Sequence, residues 1–264
     1  MPRQLPDDDD HPTTSGKEYD DQITGLQYAM RDVALAYHRQ GLRGIVVVEG
    51  TDTAGKGGAI RRLTAELDPR HYEVWPIGPP LPHERGQHYL ERFWSKLPEP
   101  GTISIFDRSW YGRFLVERVS ALVPEERWRA AYQEINHFEE ALVDDGIRII
   151  KVFLHVSLAE QRARLQRRAT NPQKWWKISS ADLRSHMAAE TYHEAIEDML
   201  TETSPKKAPW CVIAADNKRH TRLTILRETV EHFSQGVDQT PTPPDSDLAI
   251  LIRDVLGVEV PSFD

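Results

Sequence analysis

Two periods of apolar spacing take turns along this chain. Across residues 20–40, Leu26, Met30, Val33, Ala34 and Tyr37 recur on one helical face, and Gly41 offers the left-handed stop that closes such helices. Ile45-Val46-Val47-Val48 then drops the helical period for a short β-branched run with no polar face, the pattern of a strand covered on both sides. The exchange repeats downstream. It predicts helices over 55–67, 83–97, 125–145, 158–168, 182–200 and 219–233, and strands over 72–77, 102–106, 148–156 and 210–214. A proline-rich loop (Pro76, Pro79, Pro80, Pro82) follows the second strand, and Asn171-Pro172 ends the helix before it. Strands alternating with helices imply an α/β fold, a doubly wound parallel sheet with helices on both faces.

With 264 residues, the chain can bury one such core with a small appended element. The division expected is an acidic disordered tail over 1–18, a main domain over 19–236, and a linker with a short helix over 237–264. No run approaches the ~20 apolar residues of a membrane helix, and the opening residues are unlike a targeting segment. Cys211, the single cysteine, reads as a small buried apolar residue. A cytoplasmic protein with no membrane partner is the expectation.

A net charge of −8 argues against a polyanion ligand until its placement is considered. Residues 1–21 carry seven acids against Arg3 and Lys17. Residues 161–177 carry Arg162, Arg164, Arg167, Arg168, Lys174 and Lys177 with no acid. A field this uneven is not described by its sum.

Gly50-Thr51-Asp52-Thr53-Ala54-Gly55-Lys56 has the P-loop spacing G-x-x-x-x-G-K, between a predicted strand and a predicted helix. Glycines let backbone N–H groups converge on phosphate oxygens, and the helix start adds partial positive charge. Gly50, Thr53, Ala54, Gly55, Lys56, Gly57 and Gly58 are therefore candidate phosphate-binding residues. Lys56 adds a full cation. The usual Ser or Thr after that lysine, whose hydroxyl holds Mg²⁺, is Gly57 here, so another hard oxygen must take its place. Asp52 is one candidate, with an Asx-turn stabiliser as the plainer reading. Asp107, at the end of the third predicted strand, is the other.

Phe106-Asp107-Arg108-Ser109-Trp110-Tyr111-Gly112-Arg113 forms a second motif, followed by Glu117-Arg118. If a helix starts near Ser109, Arg113 and Glu117 are neighbours able to form an ordinary surface pair. Arg108 beside a strand-terminal carboxylate lies where phosphate charge is neutralised, and guanidinium forks bind phosphate bidentately. Arg113 and Arg118 are further candidate phosphate cations. The basic stretch with Trp175 and Trp176 reads as a lid over about 167–200, with the tryptophans as its packing anchors. A solvated charged face is the plainer reading of that stretch.

The P-loop, the second motif and Trp176-Lys177-Ile178-Ser179 together resemble the polyphosphate kinase 2 family, over about residues 19–233. The resemblance implies a thymidylate-kinase-like P-loop core with a helical lid. It implies Mg²⁺-dependent phosphoryl transfer, with Mn²⁺ as the other candidate ion, between inorganic polyphosphate and a nucleoside mono- or diphosphate. A homodimer or homotetramer is also implied. Asp52, Lys56, Asp107, Arg108 and Arg113 then correspond to catalytic residues, with Asp52 and Asp107 on the metal. Arg167, Arg168, Lys174 and Lys177 correspond to polyphosphate contacts. Asp216-Asn217-Lys218-Arg219 adds to a likeness with the AMP-using branch, although a single copy of the domain departs from its usual fused pair. Phosphorylation of ADP, an ATP-dependent nucleoside monophosphate kinase and a catalytically silent nucleotide-binding module are the alternatives. No nucleic acid partner is expected.

Overall fold

The computed structural model describes residues 5–6 and 12–261; the acidic run at 7–10 lies outside them. Five parallel strands, β1 (Arg43–Gly50), β2 (Tyr72–Pro76), β3 (Ile103–Asp107), β4 (Ile147–His155) and β5 (Trp210–Ala214), form one sheet in the order β2-β3-β1-β4-β5. All five stand where the apolar runs predict them. β1 is central and buried throughout its middle because it must be covered on both faces. Its side chains alternate: Val46 and Val48 enter one core with Met30, Ile60 and Phe233, while Ile45 and Val47 enter the other with Phe106, Trp110 and Phe138. Cys211 is buried in the first core.

Helices α1 (Gly16–Gln40), α2 (Lys56–Leu63) and α8 (Lys218–Ser234) cover the first face. The second is covered by α3 (Glu91–Trp94), α4 (Glu125–Asp144) and α7 (Ala189–Glu202), with α5 (Leu158–Ala169) and α6 (Ser180–Met187) at the carboxyl end of the sheet. A last helix, α9 (Ser246–Leu256), buries no residue. α1 starts at Gly16, four residues before its apolar period, because Ser15 Oγ accepts from the Glu18 amide at 3.1 Å. Residues 16–18, assigned to the tail from sequence, therefore belong to its first turn. Gly41, at φ 63°, ends it as expected.

Three expected helices differ. The helix over 83–97 is a 3₁₀ turn at Pro82–Glu84, a series of turns through Gly86 at φ 85°, and the four residues of α3. Leu90 and Phe93 there are apolar because they pin a loop to the core, not because they line a helix face. The helix over 182–200 is two, α6 and α7, bent where Ala188 leaves helical geometry (φ −98°, ψ 28°). The helix over 55–67 stops at Leu63.

The strand order reverses direction between β1 and β3: β1 is followed outward to β2, and β3 is followed across to β4. Open sheets bind ligands in the crevice at such a point, beyond the carboxyl ends of the strands. Both sequence motifs emerge there, with Val48 opposite Asp107 in register and the Arg108 amide donating to Val48 O at 3.1 Å.

A wholly buried ion pair fixes the second motif to the sheet. Lys151 Nζ, on β4, donates to Glu139 Oε2 (2.6 Å), Tyr111 Oη (2.9 Å) and Thr203 O (2.7 Å). Glu139 Oε1 accepts from Trp110 Nε1 (2.9 Å) and Tyr111 Oη (2.7 Å). Removing one charge of such a pair strands the other, which typically costs about 3–5 kcal/mol. Lys151→Met should lose about that much in urea unfolding, and Lys151→Met combined with Glu139→Gln should recover part of it. A double variant less stable than Lys151→Met alone would contradict the pairing.

Candidate active site

Gly50 leaves β1 at φ 149°, and a Cβ there would stand 2.4 Å from Leu154 O. Only glycine lets the loop turn this close to β4, and the Thr51 amide then donates to that same carbonyl at 3.2 Å. Thr53 at φ 70° and Gly55 at φ 106° complete the curl into α2. Among the hydrogen bonds of the described residues, the amides of Thr53, Gly55, Lys56 and Gly57 have no protein acceptor, and they surround the start of a helix. The Ala54 and Gly58 amides, also expected on phosphate, are spent inside the loop on Thr51 O (3.1 Å) and Gly55 O (2.9 Å).

Lys56 is buried, and its Nζ donates to Gly50 O at 2.7 Å. Burial and Arg108 lower its pKa, against Asp52, Glu49 and Asp107, which raise it. Arg108 sits at φ 64°, a left-handed conformation that costs a residue with a side chain on the order of 1 kcal/mol. The turn aims its Nη2 at Asp52 Oδ1, 3.1 Å away. Burial opposes the Arg108 charge, but Asp52, Glu49 and Asp107 outweigh it and raise the pKa. The two motifs thus meet in one charged cluster: Asp52 and Lys56 from the P-loop, Asp107 and Arg108 from β3.

Sequence reasoning assigned nothing to Glu49, which is buried behind this cluster and accepts from Ser109 Oγ at 2.9 Å. Burial pushes its pKa up, against Lys56, the Ser109 hydrogen bond and Arg108. Arg164 was counted in the acid-free basic stretch, yet it is 3% exposed and clamps the P-loop. Its guanidinium donates to Thr53 O (2.9 Å), Ala215 O (2.8 Å) and Asp216 O (2.7 Å), and pairs with Glu160 at 2.8 Å. Gln161 Nε2 donates to Asp52 O at 3.2 Å, and its Oε1 lies 2.6 Å from His186 Nδ1 on α6. The helical spacing of 160, 161 and 164 marks one face of α5; only the fold shows that this face meets the P-loop.

A cleft of about 1620 Å³ opens in front of Gly50, Asp52 and Arg108. Arg113 and Glu117 line it as an ion pair, as their spacing predicts, in a π-helical turn (Arg113–Arg118) and not in an α-helix begun at Ser109. Arg113 lies 4.0 Å over the Tyr89 ring, and its Nε is buried without an acceptor. Ser185, Tyr192 and His193 form the wall opposite.

Arg118 is not at the cradle. It pairs with Asp198 at 2.8 Å, donates to Tyr132 Oη at 3.0 Å and covers the Trp128 ring at 4.2 Å, so its charge is used within the fold. The acid-free stretch is also less bare than its sequence: Glu160 and Asp182, just outside it, lie 2.7 Å from Arg167 and 3.8 Å from Arg168. Lys174 and Lys177 are exposed on a 3₁₀ turn (Pro172–Lys177). Trp175 and Trp176, expected as packing anchors, are 57% and 78% exposed, their indole N–H groups donating to Ala169 O and Gln173 O.

Glycine geometry yields a direct test. Gly50→Ala should lower the melting temperature and abolish protection by tripolyphosphate, since its Cβ meets a backbone carbonyl. Gly57→Ala, whose Cβ meets nothing within 4 Å, should keep that protection and gain up to about 1 kcal/mol in helix stability. Equal behaviour of the two in thermal melts would refute this account of the loop.

Comparison with known proteins gives this geometry its relatives. The chain is 47% identical over 192 residues to a polyphosphate:AMP phosphotransferase of Pseudomonas syringae pv. tomato, covering 73% of this chain and 39% of that protein. It thus spans less than half the length of that relative. It is 35% identical over 240 residues to an ADP-polyphosphate phosphotransferase of Pseudomonas aeruginosa, covering 90% and 78%. A crystal structure of polyphosphate kinase 2 from Arthrobacter aurescens TC1 superimposes with a TM-score of 0.87 at 26% identity, covering 94% of this chain and 91% of that one. Residues 13–241 match the family described as polyphosphate kinase 2, and the chain belongs to that family.

Proposed function

We propose that this chain transfers a phosphoryl group from inorganic polyphosphate to a nucleotide, with AMP to ADP as the principal reaction and Mg²⁺ as the required ion. The observation that carries the reading is the pairing of unengaged P-loop amides with the Asp52–Arg108 contact at the mouth of a cleft large enough to admit a nucleotide.

The side chains fit the metal. Gly57 has no hydroxyl and the Ser109 hydroxyl donates to Glu49, but the Asp52 and Asp107 carboxylates, both acting on Lys56, are hard oxygen donors. One or two carboxylates plus substrate phosphates is how proteins ordinarily hold Mg²⁺. Bound there, the ion would neutralise phosphate charge and draw electron density from the reacting phosphorus.

The remaining chemistry belongs to the chain's own residues. The free amides and Lys56 hold the terminal phosphates of polyphosphate. An oxygen of the nucleotide's phosphate forms the new bond to the terminal phosphorus as that phosphorus parts from the bridging oxygen, and the shortened chain leaves as an anion. Phosphate oxygens of AMP are already largely ionised at neutral pH, so positioning and charge stabilisation matter more than a base. Arg108, fixed by its backbone turn and by Asp52, supplies that charge. Arg113 steadies the acceptor phosphate from the cleft side. Residues 167–200 close over the reaction and exclude water, with His186 and Gln161 linking that segment to the P-loop.

AMP is favoured because the relative named for AMP is more similar than the one named for ADP. ADP is the second reading, supported by the fuller coverage of its named relative. Incubation with Mg²⁺ and either AMP or ADP, each with polyphosphate or ATP as donor, separates the readings by product analysis. The expected outcome is ADP from AMP with polyphosphate and little product with ATP; ADP formed only from ATP would overturn the proposal. Arg108→Ala should lower kcat about 10³-fold, in the range seen when a phosphoryl-transfer arginine is removed.

A further inference from the structure

Leu5 and Pro6 precede α1 in sequence, yet both line the cleft. Each is half-buried, and Leu5 packs against the second core. The residues that lead into α1 belong to the other face of the sheet. Thr14 is buried, Ser15 caps the helix, and a Cβ on Gly16 would lie 3.4 Å from the Arg219 guanidinium near the start of α8. Because α1 and α8 cover the first face, the chain from Leu5 to Ser15 joins the two faces. α8 begins shortly after β5 ends, so α1 starts at the carboxyl end of the sheet, the end from which the P-loop emerges.

The contact made by Leu5 is one that can come and go. A segment stays ordered only where buried apolar surface outweighs the freedom it loses. Leu5 is the one large apolar side chain among the described residues before α1, and half-burial makes it a weak anchor. Pro6 lowers the ordering cost, since its φ is already fixed. The wall beside them is a permanent part of the fold. Phe93 and Ile196 belong to the second core, and Ile77, Tyr89 and Tyr192 pack against it; all five line the cleft. A nucleotide brings one charged end and one flat base to such a place. The free P-loop amides, Arg108 and Arg113 suit the charged end, and an apolar wall suits the base.

We propose that Leu5 and Pro6 cover the apolar wall against which a nucleobase would pack, so that the segment before α1 is a built-in competitor that leaves as a nucleotide binds. The inference rests on the nucleotide reading of the cleft given above. Competition is confined to the base: an inorganic phosphate chain has none, and it binds the P-loop with the segment in place. The segment thus sets the apparent affinity for nucleotides without touching the reacting groups. Covering the wall about nine-tenths of the time reduces that affinity about tenfold.

The test is calorimetric binding of AMP, ADP and tripolyphosphate to the full chain, to its Leu5→Ser/Pro6→Ser variant and to its Leu5→Met variant. The double variant should bind AMP and ADP about tenfold more tightly, with tripolyphosphate affinity changed by less than about twofold. Leu5→Met keeps an apolar side chain of similar volume and should bind all three ligands as the unaltered chain does. Unchanged AMP and ADP affinity in the double variant would overturn the proposal, and a lowered melting temperature beside it would make Leu5 a structural anchor instead. Weaker nucleotide binding would make Leu5 part of the nucleotide's own site and overturn it too. Equal tightening of tripolyphosphate would put the segment over the P-loop and not over the base wall, with the same consequence. If tripolyphosphate bound while neither the unaltered chain nor its variants bound AMP or ADP, the nucleotide reading of the cleft itself would fall.

Discussion

Lys151 and Glu139 lie wholly out of water, and the second motif is built on their pairing. Isolated burial of either charge would be prohibitive, so each must spend its hydrogen-bonding capacity inside the fold. Lys151 uses all three donors, on Glu139, Tyr111 and Thr203; Glu139 takes the Trp110 indole and the Tyr111 hydroxyl on its other oxygen. Four elements are tied by this one interaction: β4 through Lys151, α4 through Glu139, the chain after β3 through Trp110 and Tyr111, and the end of α7 through Thr203. Asp107 and Arg108 immediately precede that anchored pair of aromatics, and Arg113 shortly follows it. Their positions relative to the P-loop are inherited from a contact that touches no substrate.

The P-loop is restrained just as indirectly. Its curl requires Gly50 to pass against Leu154, and its outer carbonyls are gripped by Arg164 and Gln161 from α5. Arg164 also binds the carbonyls of Ala215 and Asp216, so the loop after β5 and the loop after β1 are tied through one side chain. The Asp216 carboxylate in turn accepts from the amide and hydroxyl of Ser157, at the start of α5. With the carbonyl side of the loop occupied in this way, its amides are left facing outward. An arginine that looks like one more charge in a basic stretch thus works as a clamp. Electrostatic preorganisation of this kind lets a phosphate site act without rearranging at the moment of reaction.

Charge on this protein is sorted by location, and its total of −8 says little about the site. Arginines that are paired with Asp or Glu, such as Arg113, Arg118 and Arg164, hold structure or shape the cleft wall. Among the described residues, Arg61 and Arg62 on α2 and Arg222 on α8 form no ion pair. The distinction is energetic: an arginine buried in a pair, as Arg164 is with Glu160, has already exchanged its hydration for protein oxygens, whereas one left exposed keeps its attraction for anions in solution.

The amino-acid sequence by itself determined the sheet, the P-loop and the second motif. Each of these depends on local rules: β-branched runs such as Ile45–Val48 cannot be covered except as a buried strand, and the glycine spacing of 50–56 permits few other turns. Local rules also located Asp52, Lys56, Asp107 and Arg108 at strand ends. Tertiary structure alone decided which cations stand beside the P-loop and which are held elsewhere in the fold. Arg118 looks like a phosphate ligand in sequence and Arg164 like one more charge of a basic stretch, but contacts with residues distant in the chain, Asp198 for one and Thr53, Ala215 and Asp216 for the other, hold them within the fold. Apolar positions from 83 to 97 likewise fit a helix until Leu90 and Phe93 are seen anchoring a loop. Whether a charge is spent on the fold or left for a ligand depends on which distant residues the fold brings beside it, and periodicity within one segment carries no record of that.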